Sequence, residues 1–496
     1  MVNLSAFIRF HATTTPDRIA LTYDGTEVTY GDFWTRIQKA AAILAERGIG
    51  PDDVVAAFMK NSAAFLELAF AVSHLGAVFL PVNYRLAAEE AAYILGNADA
   101  KLLFADAEFA TLFASRNDVI TVDDDAQHEL ARLGAPDKPP EIAVRQPDDP
   151  MRLMYTSGTT SHPKGVLHSY SNFYWKNMDH VMSLGLTRDD RLLVVGPLYH
   201  VGAFDLPGVA VLWLGGRLCV LRDFDPVDVL AAIQREKLTC AWMAPVMTSQ
   251  ILSHPDRDKY DVTSLRWTIG GGEKTPESRI RAFGEFFTNA RYIDGYGLTE
   301  SCSGDTLMEA GKEIEKIGST GRALAHVEVQ IRDDDGNVLP PDSEGEICLR
   351  GPKITKGYWN DPEKTKASFF GDWFRTGDMG VLDADGFLYI TDRKKDMIIS
   401  GGENIASSEV ERVIYQLDGV ADAAVIGLPD ERWGERPVAV VVMEPGKTLD
   451  YAALAAHCRA HLAGFKVPKE LFLRDELPRN PSGKILKRVL RDDFAG

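Results

Sequence analysis

The sequence predicts an α/β protein: a large N-terminal domain of parallel, helix-covered sheets with a β-barrel-like subdomain, then a small α+β C-terminal domain. Three observations carry this. Short β-branched runs alternate with helical patterns through the first half, and the texture turns to alternating strands and turns after about residue 320. A charged run then meets a glycine pair in "DRKKDMIISGGENI" and introduces a compact final set. At 496 residues the chain exceeds what one hydrophobic core usually serves.

Taken in order, "DVVAAFM" reads as a strand, residues 62–75 as a helix and "AVFLPV" as the next strand. The alternation recurs at "AKLLFAD", "RLLVVGP", "GRLCVL", "LTCAWMA" and "LRWTIGG", with helices such as "VDVLAAIQRE" between. Such alternation implies parallel strands, whose ligands lie beyond their carboxyl ends. "VEVQIRDDDGNVLPPDSEGEICLRG" gives two alternating strands around turn-rich sequence, hence the barrel-like subdomain. A boundary near Lys395 leaves "ADAAVIGL", "RPVAVVVM" and a helix near 450–463 in the final domain of roughly a hundred residues. No repeat at a solenoid period occurs.

Composition narrows the function. Lys and Arg total 54 against 72 Asp and Glu, a net charge of −18, which argues against nucleic acid and anionic membrane surfaces as partners. Five scattered cysteines without a CxxC read as reduced thiols in a cytoplasmic protein. The N-terminus lacks a basic segment followed by an apolar core, so no secretory signal is expected. The long apolar run at residues 63–82 contains Glu67 and His74 and breaks at Gly76, which fits a buried helix-strand unit better than a transmembrane segment.

Five stretches carry candidate chemistry. "YTSGTTSHPKG", residues 155–165, is no Walker A loop, because Pro163 precedes Lys164 and Gly165 follows it. Alone it reads equally as a polar turn or a phosphate cradle. "TIGGGEKTP" places Gly270, Gly271 and Gly272 after a strand, where backbone can approach a flat ligand; Thr275 breaks the G-x-G-x-x-G pattern. In "YIDGYGLTES", Tyr296 can stack on a purine, Thr299 can donate to phosphate and Glu300 offers a carboxylate for Mg2+. Asp378 in "WFRTGD" can accept from ribose hydroxyls, and "LPRNPSGKILKR" presents Lys484 in a turn. Each alone has a plain alternative: a core tyrosine, a surface turn, a solvated lysine.

Together and in this order, with "DRKKDMIISGGENI", these stretches closely resemble the adenylate-forming enzymes: acyl-CoA synthetases, adenylation domains of peptide synthetases and beetle luciferases. The resemblance spans essentially the whole chain and is strongest to bacterial fatty acyl-CoA and feruloyl-CoA synthetases. It implies two steps, an acyl-adenylate with release of pyrophosphate and then an acyl-CoA with release of AMP, using ATP, Mg2+ and coenzyme A. By the same resemblance Lys484, Thr299 and Glu300 are catalytic, Glu300 placing Mg2+ and Thr299 meeting the α-phosphate. Thr156, Ser157, Gly158, Thr159, Thr160 and Lys164 embrace the β- and γ-phosphates; Gly271, Gly272, Asp294 and Tyr296 frame adenine; Asp378 and Arg393 hold ribose. Residues 1–394 then form the nucleotide- and acyl-binding domain, Lys395 the hinge, and residues 396–496 a mobile domain carrying Lys484. Gly401 and Gly402 line a pantetheine tunnel, and Trp433, Phe465 and Lys469 meet the CoA nucleotide, although Val467 replaces an arginine found there in relatives. Ser161 and Ser407 depart from a usual glycine and proline.

The acyl pocket implied by the resemblance takes in His200, Phe204, Trp242, Met243, Trp267, Gly270, Gly297 and Ser303. His200 reads equally as a packed core histidine. No arginine in these segments pairs a second carboxylate, so malonate-type acids are disfavoured; small Ser303 and Gly304 leave room for a long or flat acyl group. The expected partners are a carboxylic acid, ATP and CoA, without nucleic acid, and a homodimer is left open. Two alternatives stand beside the ligase: an enzyme that loads a carrier protein, disfavoured by the lack of an appended carrier domain, and a nucleotide-binding protein without turnover.

Overall fold

The computed structural model describes residues 3–122, 139–156, 163–271, 275, 277–394, 396–400, 403–430, 432–479 and 485–494. Two sheets dominate the N-terminal part. In one, the strands Ile19–Tyr23, Arg217–Val220, Arg191–Val194, Cys240–Trp242, Trp267–Gly271 and Arg291–Tyr296 run parallel side by side. The short edge strands Thr26–Thr29, Thr306–Leu307 and Arg322–Ala323 add antiparallel to it. The other sheet orders Val119–Val122, Ala100–Asp106, Val54–Phe58, Val78–Pro81 and Pro150–Thr156 in parallel, then Lys164–Ser169 antiparallel. The strands expected from β-branched runs are therefore present, and parallel in the body of each sheet.

Helix Ala63–His74 explains the long apolar run. Ser62 caps it by accepting from the Phe65 N–H, and all of its residues are buried. A helix apolar on every face belongs between layers, and its side chains share one core with strands of both sheets. Its one acid, Glu67, pairs with Arg36 at 3.1 Å. No helix among the described residues is long and apolar enough to cross a membrane.

A third, antiparallel sheet joins Glu328–Arg332, Gly345–Arg350, Trp373–Leu382, Phe369–Phe370 and Leu388–Arg393. A fourth contains Val420–Asp430, Gly434–Met443, Ile398–Ser400 and Glu403–Ile405, with Glu470–Leu473 parallel to Gly434–Met443. Two hydrophobic clusters flank this sheet, one around Ile398, Val410 and Leu454, the other around Ile426, Val440 and Leu490; both draw only on residues from Ile398 onward.

Candidate active site

The site forms at the carboxyl ends of the first sheet. Strands Trp267–Gly271 and Arg291–Tyr296 pair so that Gly270 faces Asp294 and Gly271 faces Gly295, which brings Gly271, Asp294 and Tyr296 together. Gly270 must lack a side chain: a β-carbon there would stand 1.8 Å from the Tyr292 hydroxyl oxygen. The third sheet reaches this end through Asp378, whose Oδ2 accepts from the Tyr296 hydroxyl at 2.8 Å. Burial, and then the Asp378 charge, hold the Tyr296 phenol well above its ordinary value, so it remains a donor. Asp378 stands opposite Arg393 in the ladder, which places the two expected ribose residues on neighbouring strands. The Arg393 side chain and Gly272 lie outside the described residues.

After Tyr296 the chain makes a short turn, Thr299–Ser301, followed by Cys302, Ser303 and Gly304 at φ of 56°, 66° and 64°. Left-handed geometry costs a non-glycine residue about 1–2 kcal/mol, so two in succession need support. Lys353 supplies it, donating to the carbonyls of Ser303 at 2.8 Å and Gly304 at 2.6 Å and pairing with Asp305 at 2.9 Å, wholly buried. Glu300 leaves this turn toward Tyr358, whose hydroxyl donates to Glu300 Oε1 at 2.8 Å. Tyr358 arrives because residues around it bridge the edge strand Lys164–Ser169, Val166 pairing with Tyr358 and the Trp359 N–H donating to the Gly165 carbonyl at 2.7 Å.

Lys164 opens that edge strand opposite Thr156, so the two ends of the expected phosphate-holding stretch are paired neighbours. Its ammonium lies 5.6 Å from the centre of the Tyr358 ring. Burial and then neighbouring Lys364 pull its pKa down, while Glu300 and Asp361 act the other way. The Lys164 ammonium can meet phosphate oxygens, and the oxygens of Thr299 and Glu300 suit a hard divalent cation. These residues fit Mg2+ and a polyphosphate. Ser157, Gly158, Thr159, Thr160 and Ser161 lie outside the described residues, as do Lys395, Gly401, Gly402 and Lys484.

Of the residues expected to meet the acyl group, Phe204, Trp242 and Trp267 belong to or pack against the core shared by both sheets. Met243 turns to the opposite face and packs in a second cluster with Leu230 and Tyr292, as strand alternation dictates. The Trp242 indole seats on two glycines: a β-carbon at Gly196 or Gly202 would stand 2.4 or 2.5 Å from it. His200 lies beside it, ring centres 6.2 Å apart, and its Nδ1 accepts from the Gly202 N–H at 3.1 Å. Burial pushes the His200 imidazole down to about 4, so it is neutral at pH 7. Gly297 abuts the Gly304 backbone, and Ser303 is buried in the supported turn.

In the C-terminal part, Trp433 and Phe465 are exposed, and the Arg432 guanidinium covers the Trp433 ring at 4.6 Å. Lys469 follows Val467, which packs into the hydrophobic core there. Ser407 begins helix Ser407–Ile414, and both its N–H and its hydroxyl donate to Asp392 Oδ2 at 2.6 Å.

The sequence reading missed a buried set beneath the Thr299–Glu300 turn. Arg152 pairs with Asp205 at 2.7 Å, Lys176 with the same carboxylate at 3.3 Å, and His168 lies between Arg152 and the Thr299 carbonyl. Burial pushes His168 down to about 3 and Lys176 to about 8; burial alone would raise Asp205, but Arg152 and Lys176 bring it below its ordinary value. A signal existed: Arg152 interrupts the strand "PMRLMYT", and Lys176 falls on the apolar face of "YSNFYWKNMDH".

The family model described as AMP-binding enzyme matches residues 8–359, and that of the AMP-binding enzyme C-terminal domain matches residues 409–484. The chain is 37% identical over 489 residues to a feruloyl-CoA synthase of Amycolatopsis sp, covering 97% of each. It is 37% identical over 506 residues to the long-chain-fatty-acid–CoA ligase FadD13 of Mycobacterium tuberculosis, covering 100% of this chain and 99% of that one. Among solved structures, the o-succinylbenzoate CoA synthetase MenE of Bacillus subtilis in complex with its acyl-adenylate intermediate OSB-AMP superposes with a TM-score of 0.89 at 33% identity, over 98% of both chains. MenE in complex with ATP and magnesium ion gives 0.88 at 32% identity, over 98% of this chain and 99% of that one.

Proposed function

The chain belongs to the AMP-binding enzyme family, and from that membership together with the site we infer its chemistry: it is an AMP-forming acid–CoA ligase. In the first step a carboxylate oxygen of the acid attacks the α-phosphorus of ATP, and the α–β bond breaks with its electron pair leaving on pyrophosphate. In the second the CoA thiolate attacks the acyl carbon, and AMP leaves with the bridging oxygen. The acid is apolar, fatty or aryl, as in the feruloyl-CoA and long-chain relatives; neutral His200 and the Trp242 indole offer it no ionic partner.

What supports this reading is a run of contacts across three sheets around the end of strand Arg291–Tyr296: Gly271 on the neighbouring strand, Tyr296 bonded to Asp378, and Glu300, four residues on, bonded to Tyr358, whose ring centre lies 5.6 Å from the Lys164 ammonium. Thr299 donates to the α-phosphate, and Lys164 with residues 156–160 steadies the β- and γ-phosphates. Glu300 holds Mg2+, which when bound neutralises charge on phosphate oxygens. Tyr358, bonded to Glu300, orients that carboxylate. Gly271, Gly272, Asp294 and Tyr296 frame adenine, and Asp378 with Arg393 holds ribose. Lys484 brings the positive charge needed where negative charge gathers at the α-phosphorus. Residues 396–496 turn about Lys395 between the steps, exchanging Lys484 for the glycine pair at 401 and 402, while Trp433, Phe465 and Lys469 meet the CoA nucleotide.

Incubation with ATP, Mg2+ and a panel of carboxylic acids, with and without CoA, tests it. Acid-dependent pyrophosphate release and a CoA thioester are expected. Release without any thioester would place the acyl group on another acceptor, such as a carrier protein; ATP binding without release would defeat the enzyme reading.

A further inference from the structure

We propose that His168 is the positioning residue of the Thr299–Glu300 turn, set in its working tautomer by Arg152. The proposal rests on the nucleotide and Mg2+ roles given above to Thr299 and Glu300. Arg152 Nε and Nη2 approach His168 Nδ1 at 3.2 and 2.9 Å. A guanidinium has only donors, so Nδ1 must accept, and in the neutral ring the proton is left to Nε2. Nε2 lies 2.6 Å from the Thr299 carbonyl oxygen, which can only accept. The Nε2–H therefore donates to it.

The arrangement has no slack. The other edge of the guanidinium engages Asp205 through Nη1 at 3.3 Å and Nη2 at 2.7 Å, and Lys176 stands against the same carboxylate. Arg152, His168, Lys176 and Asp205 are all at most 1% exposed, so no water competes for these bonds. One residue further on, the Thr355 N–H donates to the Glu300 carbonyl at 2.7 Å. Two successive carbonyls of the turn are thus held, that of Thr299 by His168 and that of Glu300 by the backbone of Thr355. The Leu298 carbonyl is held as well, by the Ser303 N–H at 2.9 Å, and fixing these three successive peptide planes fixes the directions in which the Thr299 and Glu300 side chains leave the chain. The logic is that of an outer partner orienting a metal-binding residue, with a cation selecting the tautomer here.

Three variants separate the atoms involved. His168→Gln can place an amide N–H where Nε2–H stands; His168→Asn can accept from Arg152 but does not reach Thr299; His168→Leu offers neither. Each is titrated calorimetrically with MgATP and assayed for acid-dependent pyrophosphate release, and its melting temperature is recorded. His168→Asn and His168→Leu are expected to weaken MgATP binding and slow adenylation by about 10- to 100-fold, with KM for the acid unchanged and with His168→Gln retaining most of the parent's affinity. Asn equal to Gln, or losses that merely follow melting temperature, would overturn the proposal. A parent that releases no pyrophosphate with any acid defeats the ligase reading instead, and the MgATP titrations still decide the role of His168. A parent that binds no MgATP defeats both.

Discussion

Trp242 and His200, proposed members of the acyl pocket, each carry a consequence that can be measured. The indole rests on Gly196 and Gly202, so it cannot move aside without displacing backbone. Trp242→Ala opens that depth, and kcat/KM for long-chain acids relative to aryl acids should rise about tenfold in a competition assay; an unchanged ratio would remove Trp242 from the pocket. His200 carries a pH signature. Its folded-state value, about 4, lies below its ordinary 6.5, so between these values the unfolded chain binds more protons at this group and its contribution to stability rises with pH. The melting temperature should therefore fall as pH drops from 6.5 towards 4, and His200→Asn, whose amide oxygen can still accept from Gly202, should flatten the slope. An identical slope in the variant would show that other groups set it. Thr299, Glu300 and Asp378 could be proposed from the sequence because their motifs are local. His168, Arg152 and Tyr358 were not: His168 meets Thr299 across 131 residues, Arg152 meets Asp205 across 53 and Tyr358 meets Glu300 across 58, and no local pattern reports such pairings.

At the scale of elements, helix Ser407–Ile414 is tied to strand Leu388–Arg393 by the two bonds from Ser407 to Asp392. Lys487, from the last helix, reaches the Ser407 hydroxyl and pairs with Glu411 at 2.8 Å. Ser407 occupies the first helical position, where proline fits the helix but has no N–H to give. Ser407→Pro therefore removes both bonds to Asp392 and Ser407→Ala only one. Bonds to a charged acceptor contribute about 1.5–3 kcal/mol each, so the proline variant should melt below the alanine variant, and equal melting temperatures would deny the N–H bond a role. The departure at Ser407 was visible in the sequence, but its meaning needed the position of Asp392. Helix Ala63–His74 and parallel strands such as Val54–Phe58, Val78–Pro81 and Ala100–Asp106 were legible from the sequence pattern, while the parallel strands Ile19–Tyr23 and Val119–Val122 were not. Nor were the antiparallel edges of both large sheets, Thr26–Thr29, Lys164–Ser169, Thr306–Leu307 and Arg322–Ala323, which lack the continuous apolar run of a strand buried on both faces.

At the scale of the whole molecule, the proposed chemistry needs two placements of the C-terminal part about Lys395, one for each half-reaction. Among the described residues its hydrophobic clusters draw on Ile398 and residues after it, as a part that turned as a unit would require. Lys484→Ala should abolish pyrophosphate release from ATP and acid yet leave thioester formation from supplied acyl-adenylate nearly intact, and equal loss of both would contradict the alternation. Activation of the acid by bonding to the α-phosphorus can be followed with an acid carrying 18O at both carboxylate oxygens, turned over with ATP, Mg2+ and CoA. Mass spectrometry of the released AMP should find one 18O atom per molecule. AMP without label, or label in inorganic phosphate, would contradict an acyl-adenylate.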